Sequence, residues 1–168
     1  MVYEYRQDDP KKCTAARLIR LRLAQRLHSL RQIPRYSIVL NPASQKTLTP
    51  DDRSLASQYG LVGLDCSWNR ADQVFEHDVP GENRRLPCLL AGNPINYSAV
   101  GKLSTVEALS ASLCILGYKD QALNILQPFA WRRTFEALNR ELLETYRKND
   151  PAESIQLDQA LMKRSSTG

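Results

Sequence analysis

The chain of 168 residues is 42% hydrophobic and 24% charged, an ordinary composition for a protein that buries a core, with room for one domain or two very small ones. No run approaches the roughly 20 apolar residues of a membrane span, and acids in the opening MVYEYRQDDPKK stand where an export signal needs an apolar stretch. The net charge of +5 is unevenly placed: residues 1–35 hold nine Lys/Arg against three Asp/Glu, while the remainder carries one more acid than base. Such asymmetry points to a polyanionic partner or to a merely solvated basic helix, and charge alone does not choose.

Residues 2–5 alternate and are rich in β-formers, which predicts a first strand. Asp8-Asp9-Pro10-Lys11-Lys12 is a turn. Thr14 can cap a helix running to about His28, with Ala16, Ile19, Leu23 and Leu27 as one buried stripe and Leu18 and Leu21 nearly opposite. On that helix Arg17 and Arg20 emerge on one flank, Arg22 and Arg26 on the other, and Pro34 closes the region. Residues 36–40 form a second strand, broken by Asn41-Pro42-Ala43-Ser44. Thr49-Pro50-Asp51-Asp52 supplies a cap, a proline at the first helical position and acids in the first turn, so a short helix should end near Gly60. Residues 61–65 read as a third, apolar strand, residues 70–77 as helical, and Val79-Pro80-Gly81-Glu82-Asn83 as a loop.

Cys88-Leu89-Leu90-Ala91 is an apolar run of strand length between Pro87 and Gly92-Asn93-Pro94. The loop at 93–103 has eleven residues, longer than the roughly 2–6 typical of strand-to-helix connections, which favours a functional role. Ser104 and Glu107 have capping-box spacing, and Val106, Leu109, Leu113 and Leu116 follow at helical intervals. Further helices are expected at 119–126 and 131–146, the second burying Phe135, Leu138, Leu142 and Tyr146. Asp150-Pro151 ends it, and the closing KRSSTG should be disordered. Strands alternating with helices predict an α/β fold, a single domain with a mostly parallel sheet and helices on both faces.

In such sheets ligands bind beyond the carboxyl ends of the strands. Asp65 closes an apolar strand there, either as a general base or as the cap of the next turn. Trp68 walls a cofactor pocket or anchors the core. Dinucleotide and phosphate-loop glycine motifs, the GxSxG elbow, RNP-type aromatics and C₂H₂ spacing are all missing from the sequence. Cys13, Cys66, Cys88 and Cys114 form no CxxC pair, and with only His28 and His77 beside them a zinc site is not expected. Cys88 and Cys114 read as small core residues, and a reducing cytoplasm is inferred.

Five blocks then occur in order: DPKKCT at 9–14; Leu40-Asn41-Pro42 with Leu48 and Thr49-Pro50-Asp51-Asp52; Leu64-Asp65-Cys66-Ser67-Trp68-Asn69; Arg85-Leu86-Pro87 with AGNPINY at 91–97 and KLSTVEAL at 102–109; and Phe129-Ala130-Trp131 with Phe135 and LNRELL at 138–143. Over residues 9–146 the chain thereby resembles the small-subunit rRNA aminocarboxypropyltransferases. The resemblance implies a SPOUT-like fold with a C-terminal trefoil knot: 1–35 a basic RNA-facing part, 36–150 the knotted cofactor-binding part, 151–168 a tail. It implies transfer of the 3-amino-3-carboxypropyl group of S-adenosyl-L-methionine, without a metal, to N3 of a pseudouridine that is usually already methylated at N1. The partner would be small-subunit rRNA or the pre-ribosomal small subunit, with no membrane, and the chain a monomer.

Carried over by matching position, Thr14 would hold the methionine carboxylate. Leu40, Pro42 and Leu86 would enclose the adenine, and the Leu64 carbonyl would bind the ribose hydroxyls. Trp68 would pack against the sulfonium methyl. Gly101 would offer its backbone to the adenine amino group, with Thr105 beside it. Asp65 would sit nearest the transferred chain, as base or as orienter of its amino group. Lys11, Lys12, Arg17, Arg20, Arg84 and Arg85 would hold phosphates. The sequence departs from the family's pattern at Gly101, where relatives often carry an aromatic, and at Gly92, where Ala is commoner. An RNA methyltransferase of the same fold and a non-catalytic rRNA-binding assembly factor are the rival readings.

Overall fold

The computed structural model describes residues 1–5, 13–68 and 79–166, the last three by backbone alone. By contact density the chain groups into two compact units, Met1–Thr47 with Asp52–Arg85, and Leu48–Asp51 with Leu86–Gly168.

The first unit holds a wholly parallel five-stranded sheet in the order β2-β1-β4-β3-β5. The strands are β1 (Val2–Glu4), β2 (Arg26–Leu27), β3 (Ile38–Leu40), β4 (Leu61–Asp65) and β5 (Glu82–Arg84). Its helices are α1 (Thr14–Arg20) and α2 (Arg53–Tyr59). The register sets Glu4 opposite Asp65 and Leu40 opposite both Gly63 and Arg84, so β1 and β4 end level, two residues beyond the level ends of β3 and β5. β3 is buried at every residue, as a strand covered on both faces of a parallel sheet must be. Leu27, Ile33, Val39, Val62, Leu64 and Val79 form a core cluster, with Tyr3, Tyr5 and Trp68 packed against it.

Here the structure departs from the sequence pattern at four points. The helix from Thr14 ends at Arg20 rather than near His28; Arg22 takes φ 58°, and the chain turns back to form β2. The supposed stripe therefore dissolves. Ala15 and Leu18 are the buried residues of α1, while Leu27 is buried from β2. Two different elements supplied apolar residues at an interval that mimicked one helix. The cap of α1 is Cys13, not Thr14. The expected loop at 79–83 contains the start of β5, whose Glu-Asn-Arg sequence lacks β-formers and is held in place by pairing with β3. The second strand begins at Ile38, not at 36. The turn at 8–12 and the helix at 70–77 lie outside the described residues.

The second unit contains α3 (Thr105–Ile115), α4 (Lys119–Leu126), α5 (Arg132–Lys148) and α6 (Pro151–Ser166). The Ser104–Glu107 capping box is formed and α4 has the expected bounds. α3 is buried nearly all round, including Glu107, Ser110 and Ser112, while Leu113 is only half-buried. On α5, Phe135, Leu142 and Tyr146 are buried as expected, but Asn139 is buried and Leu138 only partly so. The tail is a correction: residues expected to be disordered continue α6 through Ser166. Asp150 starts that helix, its carboxylate accepting from the N–H groups of Ala152 (2.9 Å) and Glu153 (3.1 Å), with Pro151 at the first position.

Residues 88–91 are not a strand of the sheet either; they meet the backbone of 98–101 around the isolated bridge between Leu90 and Val100. Side chains complete their remaining backbone groups. Asn139 accepts from the Leu90 N–H at 2.8 Å and donates to the Leu90 carbonyl at 2.8 Å, as a neighbouring strand would. Asp158 accepts from the Cys88 N–H at 2.9 Å, and the Tyr146 hydroxyl donates to the Cys88 carbonyl at 3.0 Å. Buried peptide groups need partners, and here α5 and α6 supply them.

Gly92 follows this segment. A Cβ placed there would meet the Phe135 Cα and N at 2.6 Å, both of them backbone atoms of α5. Neither can swing aside, so Gly92→Ala should cost about 2–3 kcal/mol of stability. A urea titration checks this: the midpoint should fall with an unchanged slope, and a wild-type midpoint would show that α5 stands off from the loop.

Candidate active site

The chain leaves β1 toward β2 at one edge of the sheet and leaves β4 toward β5 at the other. The loops after these two neighbouring strands therefore diverge, and the point of divergence in a parallel sheet is where a crevice opens beyond the strand ends. Glu4, Cys13 and Asp65 meet there. The Cys13 thiol donates to Asp65 Oδ2 at 3.1 Å and faces Glu4 Oε1 at 4.0 Å. The sulfur also accepts from the Ala16 N–H at 3.2 Å, capping α1. Glu4 in turn pairs with Arg26 at 2.9 Å. Burial, reinforced by the carboxylates of Asp65 and Glu4 and opposed by the Ala16 N–H, pushes the Cys13 thiol up to about 12. At neutral pH it is therefore a proton donor that fixes the Asp65 carboxylate. The three ligand atoms lie within 4.8 Å of one another, a spacing a cation could span. Thr14, next to Cys13 in the chain, is the first residue of α1.

At the neighbouring strand end Leu40 is 7% and Leu64 8% exposed. The turn after β3 is built on a buried pair of amides. Asn41 donates to Asn83 Oδ1 at 3.1 Å, and Asn83 donates to the Val79 carbonyl at 2.7 Å. Asn41 also accepts from the Ala43 N–H at 2.9 Å, and the Ser44 hydroxyl donates to the Asn83 carbonyl at 3.0 Å. Pro42 is held exposed at the head of this turn. Trp68, half-buried, packs against the core cluster that includes Leu64.

The basic residues divide. Arg17 and Arg20 are exposed on α1, and Lys11 and Lys12 lie outside the described residues. Arg84 is a correction: its guanidinium meets both Asp52 oxygens, at 3.0–3.2 Å, and Glu82 at 3.3 Å, with 11% of the side chain exposed. It joins β5 to the start of α2 rather than standing ready for a phosphate. Arg85 is half-buried, its N–H donating to the Lys46 carbonyl at 2.8 Å. Arg22, Arg31 and Arg35 are exposed as well, in a run from 10 to 50 that contains no acid at all.

In the second unit Leu86 is half-buried and Thr105 opens α3. Gly101 takes φ +73°, donates to the Leu89 carbonyl at 2.8 Å, and has nothing within 4 Å of where a Cβ would stand. The loop between Gly92 and Ser104 is gripped by Glu107. Its Oε1 accepts from the N–H groups of Gly92 (2.7 Å) and Asn93 (3.0 Å). Its Oε2 accepts from Asn93 Nδ2, the Ser104 N–H and the Ser104 hydroxyl, each at 2.7 Å. Capping spacing revealed only the Ser104 half of this arrangement.

Residues 38–162 match the family model described as ribosome biogenesis protein, C-terminal. Residues 1–30 match that of a possible Fer4-like domain in RNase L inhibitor, RLI. An iron–sulfur cluster takes four thiolates, and that stretch has one cysteine, Cys13. The 16S rRNA aminocarboxypropyltransferase of Saccharolobus islandicus is 41% identical over 163 residues, covering 97% of this chain and 95% of that one. Its namesake from Methanocaldococcus jannaschii is 36% identical over 164 residues, again at 97% and 95% coverage. The structure of the SAM-dependent rRNA:acp-transferase Tsr3 from Vulcanisaeta distributa superimposes with a TM-score of 0.88 at 38% identity, covering 99% of this chain and 95% of that one.

The thiol makes one prediction. Because its native value is raised from 9.0 to about 12, the stability it contributes is complete below pH 9 and lost as pH climbs toward 12. Iodoacetamide at pH 8, followed by peptide mapping, should leave Cys13 unlabelled in the native protein and label it in urea; labelling at the rate of a free thiol would mean that Asp65 is not held this way. Arg84 makes another. Arg84→Ala should cost about 3 kcal/mol by removing its largely buried ion pair with Asp52, whereas Arg17→Ala should stay within about 0.5 kcal/mol. Equal midpoints in urea would return Arg84 to the surface set.

Proposed function

The chain belongs to the family of the 16S rRNA aminocarboxypropyltransferases, and we propose that it transfers the 3-amino-3-carboxypropyl group of S-adenosylmethionine to N3 of a pseudouridine in small-subunit rRNA. The observation that carries the reading is the carboxylate of Asp65, fixed by the Cys13 thiol at the point where the sheet's connections diverge.

The residues suit a nucleoside sulfonium. Leu40 and Leu64 offer apolar contact at adjacent strand ends, and the amide-braced turn presents Pro42. Gly101 leaves open the space that a side chain would fill. When bound, S-adenosylmethionine presents three electrophilic carbons on one sulfur, and alignment decides which of them reacts. The chain's part is to choose. Thr14 holds the far end of the methionine moiety. Leu40, Pro42 and Leu86 enclose the adenine, the Leu64 carbonyl takes the ribose hydroxyls, and Gly101 with Thr105 reads the adenine edge. Trp68 covers the methyl. Asp65 takes the weakly acidic N3 proton of the base, or orients the amino group of the transferred chain.

The RNA face is assigned to Lys11, Lys12, Arg17, Arg20 and Arg85, extended by the exposed Arg22, Arg31 and Arg35 and without Arg84. A SPOUT-like fold with helices on both faces of the sheet and a trefoil knot within 36–150 goes with this reading, against the general rarity of knots. So do a metal-free reaction, a monomer, a cytoplasmic location, and rRNA or the pre-ribosomal small subunit as partner. Among the described residues no helix is long and apolar enough to cross a membrane.

Two cofactor preparations, labelled in the methyl or in the carboxyl carbon, test the reaction. Only the carboxyl label should enter small-subunit rRNA, and the released nucleoside should be 5′-methylthioadenosine. Methyl label in the RNA together with S-adenosylhomocysteine would replace the reading by a methyltransferase. Asp65→Asn should keep cofactor affinity near normal and lower the transfer rate at least ~10²-fold; turnover at the wild-type rate would remove its role as base.

A further inference from the structure

The AGNPINY motif at 91–97 is left without a task by the cofactor and phosphate assignments. Its loop is built inside out. Asn93, polar, is 5% exposed, whereas Ile95 is 78% and Tyr97 62% exposed. The tip is also pinned. Asn93 Oδ1 accepts from the N–H groups of Ile95 (3.2 Å) and Asn96 (3.0 Å), and Glu107 holds Asn93 from below. Ser98 donates to the Ala91 carbonyl at 2.7 Å, and Ala99 to that of Asn96 at 2.9 Å. Backbone polar groups turn inward while an aliphatic and an aromatic side chain, two residues apart, project into water.

The surroundings specify the occupant. Residues 92–104 contain no Asp or Glu and one base, the exposed Lys102. Glu107, the next acid along the chain, is fully buried. Two side chains are too few for the core of a protein interface, which takes about 800 Å² from each partner, but they match one face of a nucleobase. On the premise that this chain modifies N3, an edge engaged in base pairing, the target must leave its stack. We propose that Ile95 and Tyr97 form a wedge that stacks against an unpaired base of the rRNA substrate. Apolar wedges between base steps and aromatic platforms under single-stranded bases are the two general forms of this contact.

The test uses the full chain and a small-subunit rRNA stem-loop carrying 2-aminopurine next to the modified position. The Ile95→Ala/Tyr97→Ala double variant should weaken RNA binding about tenfold or more and suppress the fluorescence rise that accompanies unstacking. Tyr97→Phe should behave as wild type. The salt slope should not change, because no phosphate contact is lost. Cofactor titration and the melting temperature should also hold. Unaltered RNA affinity and fluorescence in the double variant overturn the wedge, as does loss of cofactor binding. A changed monomer–dimer balance in light scattering would also overturn it, giving the tip to a second copy. The premise fails separately: a wild-type enzyme that transfers nothing to rRNA removes it, whereas transfer that proceeds equally in wild type and variant sinks the wedge alone.

Discussion

Glu107 is the interaction on which the second unit depends. A carboxylate with no exposure is among the costliest groups to bury, and it is tolerated only when its oxygens are filled. Five donors fill them, from Gly92, Asn93 and Ser104. Because those residues stand at the two ends of one loop, a single side chain pins its departure from the extended segment and its arrival at α3. The exposed tip, the open Gly101 and the first residue of α3 are all held at one remove from this carboxylate. Close approach of α5, which Gly92 permits by having no side chain, covers the arrangement from outside.

The first unit follows another economy. Its sheet is parallel throughout, so every strand delivers its carboxyl end to the same edge, and the order of strands makes β1 and β4 neighbours whose loops part. Cys13 joins the two by serving twice. Its sulfur accepts from α1 and its proton goes to Asp65. A thiol suits this position because burial beside two carboxylates keeps it protonated where an ordinary cysteine would begin to ionise. The chemistry assigned to the site asks little beyond this. Under the proposed reaction, selecting one of three carbons on a sulfonium would be a matter of placing walls, and Leu40, Leu64 and Trp68 would supply them.

Charge is likewise sorted by burial. Arg84 and Asp52 form a largely buried bidentate pair that closes the edge strand β5 against α2, in a stretch too poor in β-formers to be held by propensity. The exposed arginines of residues 14–35 have no acid between them in the chain, although Arg26 reaches Glu4, and they give that surface an excess of positive charge.

The sequence alone determined what depends on near neighbours in the chain. Capping at Ser104, the proline-led start before α2, the bounds of α4, the apolar strand ending in Asp65 and the family itself were all legible, because each rests on a few residues at fixed spacing. Tertiary structure decided the rest. The reversal at Arg22 turned the end of an apparent helix into β2, and pairing with β3 made a strand of Glu82–Arg84. Residues 88–91 read as a strand because they are an apolar run of strand length, yet besides the nearby backbone of 98–101 their partners are Asn139, Tyr146 and Asp158, which lie far along the chain and could not be paired with them from spacing. Asp65 was visible as a strand end, but not the Cys13 thiol that fixes it, 52 residues away. Hydrogen bonds between distant segments are chosen by which surfaces meet when apolar faces are buried, and that choice belongs to the whole chain rather than to any window of it.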